Sequence, residues 1–387
     1  MSLCLCMIVK NESAVIEQTL AHLCDCIPFA YWVISDTGST DHTMELIRSF
    51  FHKRNIPGEL VEHEWRDFAY NRTKALECAY QKTDYLMVFD ADDSIVGTLP
   101  IPTLKEDRYM ATFGTTESYL RPLFLTNRKK WVYKGVLHEY VDAPEVRTTA
   151  LLTGNYYIHS GRTGARSQNK EKYAEDAAIL EKAYQNDEDE ALKDRYAFYC
   201  AQSHMDAKHV NEAIEWYTIC LQRNGWKQEK YYASLQLGKL YAYQKKKDRA
   251  MDTWCNSVLY DPERIEGLVM AAIYAQVHGD HMMVNVLYHR CKGYNKRPFN
   301  KLFLQPQLYA YEIEYLNSKS AYVVKDFESG YACCKTIILY HRNKERIAHG
   351  IQTLKLYKES FRKDVEFVAL LRSKLPKETM DKIMSTS

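Results

Sequence analysis

The residues with the greatest chemical potential are acids in two clusters. Asp36 opens Asp36-Thr37-Gly38-Ser39-Thr40-Asp41, and Asp90-Ala91-Asp92-Asp93 follows the apolar run Tyr85-Leu86-Met87-Val88-Phe89. Carboxylates gathered in one crevice repel one another unless a cation or a hydrogen-bonding ligand neutralises them. Hard oxygen donors select Mg²⁺ or Mn²⁺, and such a cation bridges naturally to a diphosphate. For Asp36 and Asp41 the alternative is turn and helix-capping chemistry, which Asp-x-Gly-Ser-Thr-Asp before an amphipathic run also satisfies. A G-x-G-x-x-G fingerprint and a Walker A loop are both absent, which argues against a nicotinamide enzyme and a P-loop NTPase.

The elements that must position these acids read as alternating strands and helices. Ser2–Val9, Tyr31–Ser35, Glu59–His63 and Tyr85–Phe89 are short, apolar and rich in β-branched or aromatic residues, and amphipathic segments at 13–25, 41–54 and 68–82 separate them. This alternation predicts βαβ units and a parallel sheet covered on both faces. The acids then lie at strand carboxyl ends, where ligands bind in such sheets. From about 95 to 160 the pieces Arg108–Thr115, Leu120–Leu125, Val136–Val141 and Leu151–His159 predict a smaller mixed or antiparallel extension of the same sheet.

After a hinge around Ser160-Gly161-Arg162-Thr163-Gly164, helical periodicity continues to the end, beginning with a helix over 169–186 and a solvated acidic loop, Asn186–Glu190. Leu237-Gly238, Tyr241, Ala250, Trp254 and Pro262 sit at the offsets of a 34-residue helical repeat, and Ala272, Val284 and Tyr288 continue it. Stepping back with an insertion of three gives Ala201, Ala213 and Tyr217. Small residues where paired helices touch and aromatics between successive pairs are what stacked helix pairs require. Three degenerate tetratricopeptide-like repeats over 190–293 are the expectation, with further helix pairs behind them.

Four blocks resemble those of family 2 glycosyltransferases with the GT-A fold, in order and spacing: Leu5–Glu12, Val33–Asp41, Phe68–Thr73 and Phe89–Asp93. Together with the repeats, the wider resemblance is to the branch that includes bacterial peptide S-glycosyltransferases. It implies an α/β GT-A nucleotide-diphospho-sugar transferase domain at 1–165, a linker helix and repeats at 166–293, and a C-terminal helical extension at 294–387. It further implies that Asp36 hydrogen-bonds the nucleotide base, assisted by Lys10-Asn11-Glu12 and Arg72. Asp90-Ala91-Asp92 matches the D-x-D motif, so Asp92 would ligate the metal and Asp90 would lie at the ribose or reach the metal through water. Gly135-Val136-Leu137-His138-Glu139 resembles a G-x-x-H-E block, with Glu139 the general base of an inverting transfer. Ile158-His159-Ser160-Gly161 resembles a block whose histidine closes the metal or diphosphate site, and Arg162 and Arg166 stand ready to clamp phosphates. Mn²⁺ or Mg²⁺ is the expected cofactor, a UDP-sugar the expected donor, and a glycan or polypeptide the expected acceptor.

Composition narrows the alternatives. Lys and Arg total 52 against 50 Asp and Glu, a formal net charge of +2, so the diffuse basic field of a nucleic-acid binder is absent. The local cluster Arg128–Lys134 reads instead as an acceptor-side wall, since Trp131 and Tyr133 offer faces for sugar rings. Eleven scattered cysteines favour reduced thiols in a cytoplasmic compartment. The N-terminal apolar run reads as a strand rather than a signal peptide, and no stretch approaches the roughly 18–20 apolar residues of a membrane span. The rivals are a non-catalytic repeat adaptor with a decayed transferase domain, and a nucleotidyltransferase. The helical half is expected to bind the acceptor or to close a homodimer.

Overall fold

The computed structural model describes residues 1–115, 118–161, 169, 171–292, 297–298 and 301–385. The chain divides into two compact units, Met1–Glu229 with Asn300–Leu304, and Lys230–Phe299 with Gln305–Ser387.

In the first unit the elements run β1 (Leu3–Val9), α1 (Ile16–Cys26), β2 (Tyr31–Asp36), α2 (Thr43–Arg54), β3 (Gly58–Glu62), α3 (Phe68–Ala79) and β4 (Tyr85–Val88). Then come β5 (Ser94–Gly97), β6 (Arg108–Phe113), β7 (Tyr119–Thr126), β8 (Val132–Lys134), β9 (Tyr140–Asp142), β10 (Thr149–Leu151) and β11 (Tyr156–His159). Three helices follow: α4 (Lys172–Asn186), α5 (Glu190–Asp206) and α6 (Val210–Gln222).

The main sheet has the order β3-β2-β1-β4-β7-β6-β11-β5, with β10 also on β6. Its β3-β2-β1-β4 block is parallel, β7 joins β4 antiparallel, and the rest is mixed. Period-two alternation builds both faces from one strand. Leu3, Leu5, Met7 and Val9 of β1 enter the core that contains Ile16, Leu20, Ile47 and Phe51 of α1 and α2. Cys4 and Cys6 enter the opposite core with Ala75, Leu76 and Ala79 of α3. Trp32 stacks on Phe51 with ring centroids 4.2 Å apart, fastening β2 to α2. Asp67 caps α3 by accepting from the Tyr70 N–H at 2.7 Å, which starts the helix at Phe68, one turn before Arg72.

The structure alters two strand expectations. Val136–Val141 is not one strand, because Gly135 (φ 100°) and His138 (φ 51°) are left-handed and turn the chain between β8 and β9. Leu151–His159 is broken into β10 and β11, and β5, which pairs antiparallel with β11, had no counterpart among the expected elements.

In the second unit every long element is helical: α7 (Lys227–Tyr243, which begins in the first unit), α8 (Lys247–Asn256), α9 (Glu266–Val277), α10 (His281–Cys291) and α11 (Glu312–Val323). They continue as α12 (Phe327–Tyr340), α13 (Lys344–Leu354), α14 (Lys358–Lys363), α15 (Val365–Lys374) and α16 (Lys377–Met384). Consecutive helices from α8 to α13 pack on one another. Ala250, Trp254, Ala272, Val284 and Tyr288 are all buried. Gly238 is required by closeness, since a Cβ there would lie 2.3 Å from Trp254 Nε1. No helix among the described residues is long and apolar enough to cross a membrane.

Candidate active site

The carboxyl end of β2 sets the first half of the site. Asp36, 2% exposed, pairs in register with Val9 of β1. Its Oδ1 accepts from the Gly38 and Ser39 N–H groups, both at 2.9 Å. Its Oδ2 is buried with no hydrogen-bond partner among the described residues. Asn11 (φ 55°) braces the adjacent loop: its N–H donates to Ser39 Oγ at 2.9 Å, and its Oδ1 accepts from the Thr40 N–H at 2.7 Å. The Glu12 N–H donates to Thr43 Oγ1 at 2.7 Å, while the Lys10 side chain is exposed.

Asp41 is a structural clamp. Its carboxylate accepts from Thr43 N–H, Thr43 Oγ1–H and Ser13 N–H at 2.6–3.2 Å. Burial pushes its carboxyl up, but the Thr43 and Ser13 hydrogen bonds outweigh this and hold it at about 2. The capping alternative therefore describes Asp41, whereas Asp36 both closes a turn and keeps an unused acceptor.

The second half is built around Arg72, 8% exposed on α3. Its Nη2 lies 2.7 Å from Asp90 Oδ1 and its Nε donates to Glu139 Oε1 at 2.6 Å. Its guanidinium also sits 5.7 Å from the Tyr133 ring centroid. Burial works against the Arg72 charge, but Asp90 and Glu139 reverse that and raise its pKa. Asp90 Oδ2 accepts from Arg121 Nη2 at 3.2 Å. The two guanidiniums overcome burial and hold Asp90 well below the usual carboxylate range. Asp93 behaves oppositely. Burial, then Asp90 and Asp92, push it up to about 7, against Arg121 at 3.9 Å and the Gly161 N–H at 3.3 Å.

Two residues that brace the candidate site escaped the sequence reading. Arg121 reaches Asp90 because β4 and β7 pair antiparallel with Met87 opposite Phe124, and each side chain lies three residues beyond that pair. The other is Arg195 on α5, whose Nε donates to the His138 carbonyl at 2.7 Å and whose Nη1 meets Glu229 Oε1 at 2.8 Å. The His138 ring stacks on Tyr199 at 4.0 Å, and Tyr196 Oη accepts from the Val136 N–H at 3.3 Å. Helix α5 thus grips the turn that carries Glu139. Neither contact has a local sequence signal, since both join residues far apart in the chain.

The structure therefore brings Arg72, Asp90 and Glu139 into one ion-paired group, and links Asn11 and Asp36 through hydrogen bonds to Ser39. Ala91 is buried, its carbonyl accepting from Thr19 Oγ1 at 2.6 Å, and Asp92 follows it half-buried. His159 is exposed at the end of β11, opposite Ser94, two residues along from Asp92. The two segments run close, for a Cβ on Gly161 would lie 1.8 Å from the Asp92 carbonyl oxygen. Arg162 and Arg166 lie outside the described residues.

The donor set fits a hard divalent cation. Burial is the main cause that raises Asp93, and the Asp90 and Asp92 charges add to it; a cation would favour the ionised carboxylates.

Residues 4–99 match the sequence model of Glycosyl transferase family 2. No curated protein sequence matches the chain significantly. Among solved structures, S. aureus TarS 1-349 in complex with UDP-GlcNAc shares 14% identity over 79% of this chain and 97% of its own, at a TM-score of 0.30. The mannosyltransferase PcManGT from Pyrobaculum calidifontis, in complex with GDP-Man and Mn²⁺, shares 13% over 75% and 84%, at 0.30. A tetratricopeptide repeat protein from Parabacteroides merdae shares 11% over 56% and 92%, also at 0.30. At such scores these three likenesses carry no functional argument. The matched segment, residues 4–99, carries the parallel block β3-β2-β1-β4 and the strand-end acids Asp36 and Asp90, in a sheet whose parallel block and antiparallel extension resemble the GT-A type.

Proposed function

We propose that the protein is a metal-dependent, inverting glycosyltransferase that moves a sugar from a nucleoside-diphosphate sugar, UDP-linked in the first instance, to a glycan or polypeptide. One observation carries the reading: Asp90 and Glu139, 49 residues apart, converge on the buried Arg72 guanidinium at 2.7 and 2.6 Å beside the strand end that the family 2 segment supplies.

Asp36 supports the choice of nucleotide. A buried carboxylate oxygen with no donor among the described residues suits a ligand N–H, such as the imino N–H of uracil or guanine. Asp92, with His159 or Asp93, would hold the cation. When bound, the cation supplies Lewis-acid stabilisation to the departing diphosphate. Glu139 takes the acceptor proton, through its second oxygen or once Arg72 releases Oε1. Arg72 holds Glu139 in place, and α5 fixes the turn beneath it. The helical second unit offers the surface for an extended acceptor or a second copy of the chain.

The test is a panel of nucleotide sugars with Mn²⁺, measuring release of nucleoside diphosphate, which slow hydrolysis yields without an acceptor. Glu139→Gln keeps the shape of the side chain, so donor binding should persist while transfer falls by about 10²–10⁴. Transfer at the wild-type rate in that variant would move the base elsewhere.

The decayed-domain adaptor keeps one argument. Arg72 and Arg121 already neutralise Asp90, so the fold tolerates these acids without activity. Release of diphosphate from none of the donors, together with no nucleotide binding, would favour it.

A further inference from the structure

Away from the carboxylate site, three ligating side chains of different chemistry meet between α4 and α5. Glu181 of α4, and Cys200 and His204 of α5, place one carboxylate oxygen, the thiol sulfur and one imidazole nitrogen within 4.8 Å of one another. The two residues on α5 are four apart, which stacks them on one helical face. Each of the two flexible ligands has an outer partner. Trp216 Nε1 donates to Glu181 Oε1 at 3.2 Å, and His204 Nδ1 lies 3.3 Å from His209 Nδ1, leaving His204 Nε2 directed at Glu181 Oε1, 2.9 Å away. In the metal-free protein Nε2–H donates to the Glu181 carboxylate, so ligation through Nε2 requires the ring proton to move to Nδ1, where the His209 nitrogen can accept it, as the second nitrogen of a ligating histidine is usually held.

We propose that Glu181, Cys200 and His204 form a binding site for a zinc-class divalent transition metal, separate from the site at Asp90-Ala91-Asp92-Asp93. A mixed sulfur, nitrogen and oxygen set is borderline in softness and selects Zn²⁺ over the Mg²⁺ or Mn²⁺ that an all-carboxylate set prefers. The Glu181 side chain is 39% exposed, so the cation has an entry path and water completes a four-coordinate shell. On binding, Cys200 Sγ–H loses its proton to solvent and an Sγ–metal bond forms, with no change of oxidation state. Burial pushes the Cys200 thiol up, so that proton is released at a cost and affinity rises with pH. The bound metal would cross-link α4 to α5, the helix that grips the turn carrying Glu139.

The experiment uses the full chain, stripped with chelator and titrated with Co²⁺, whose thiolate complexes show a near-ultraviolet charge-transfer band that Mn²⁺ at an all-carboxylate site does not give. One equivalent of Co²⁺ should produce the band, and Zn²⁺ should remove it by displacement. Cys200→Ser should abolish it with far-ultraviolet circular dichroism unchanged, and His209→Phe should weaken Co²⁺ binding about 10–100-fold. Should Cys200→Ser fold poorly, Glu181→Gln retains the thiol and must still weaken binding at least about tenfold. A folded wild-type chain without the band would overturn the proposal and leave Glu181 and His204 a plain hydrogen-bonded pair. So would an equal band in Cys200→Ser, which would place the cobalt on another cysteine.

Discussion

Arg72→Met probes the centre of the site, because it removes one charge from two carboxylates while preserving much of the side chain's bulk. In the native protein Nη2 meets Asp90 at 2.7 Å and Nε meets Glu139 at 2.6 Å, with the Glu139 side chain 10% exposed. Removing one partner of a buried ion pair costs about 3–5 kcal/mol, because the other charge is left without compensation. Arg121 still faces Asp90 at 3.2 Å, so the expected loss at pH 7 is trimmed to about 2–4 kcal/mol. At roughly 2–4 °C per kcal/mol for a unit of this size, the melting temperature should fall by about 4–16 °C.

The loss should depend on pH. Asp90 titrates well below its unfolded value in the native state, so its contribution is complete above the unfolded pKa of about 4 and drains away as pH falls toward the folded one. The variant lacks much of that contribution, and carboxylates left buried without a cation resist ionisation. The gap between wild type and variant should therefore be widest at pH 7–8 and narrow steadily toward pH 4. Urea unfolding at four pH values between 4 and 8 measures it. A gap below about 1 kcal/mol at pH 8, the range of an exposed pair, or one that is flat with pH, would refute Arg72 as the internal counter-ion. Arg72→Lys should recover only part of the loss, since one ammonium cannot span both carboxylates as the guanidinium fork does.

Other perturbations separate the remaining roles. Asp92→Asn should abolish turnover and Mn²⁺-dependent nucleotide binding without lowering the melting temperature, because it relieves the crowding that raises Asp93; full activity in excess chelator would defeat the metal assignment. Asp36→Ala should raise the donor KM and leave the acceptor KM unchanged, with about 1–3 kcal/mol of stability lost from the Gly38 and Ser39 N–H groups; an unchanged donor KM would reduce Asp36 to a turn residue. Gly161→Ala puts a Cβ 1.8 Å from the Asp92 carbonyl oxygen, so the two segments must separate and transfer should fall by roughly 10²-fold; near wild-type transfer would show that their approach is not needed.

The period-two alternation of β1, the apolar run of β4 and the helical spacing between them were legible in the sequence because each is a local pattern with a local physical cause. The same holds for the acids that end β2 and follow β4, and for the helical character of the long elements from Lys172 onward among the described residues. The turn at Gly135–Glu139 was misread as a strand. Its apolar Val136 and Leu137 run toward Tyr140 and Val141 with strand-like composition, and the left-handed φ of His138 has no compositional mark. What only the tertiary structure decided is which charge stands beside which. Arg72 read as a nucleotide contact and lies between Asp90 and Glu139, Arg121 arrives through the antiparallel pairing of β7, and Arg195 comes from a helix that read as part of the repeats. An ion pair depends on a few ångströms of separation and on burial. Strand register and helix packing set both of those, between residues from 18 (90 − 72) to 67 positions apart in the chain.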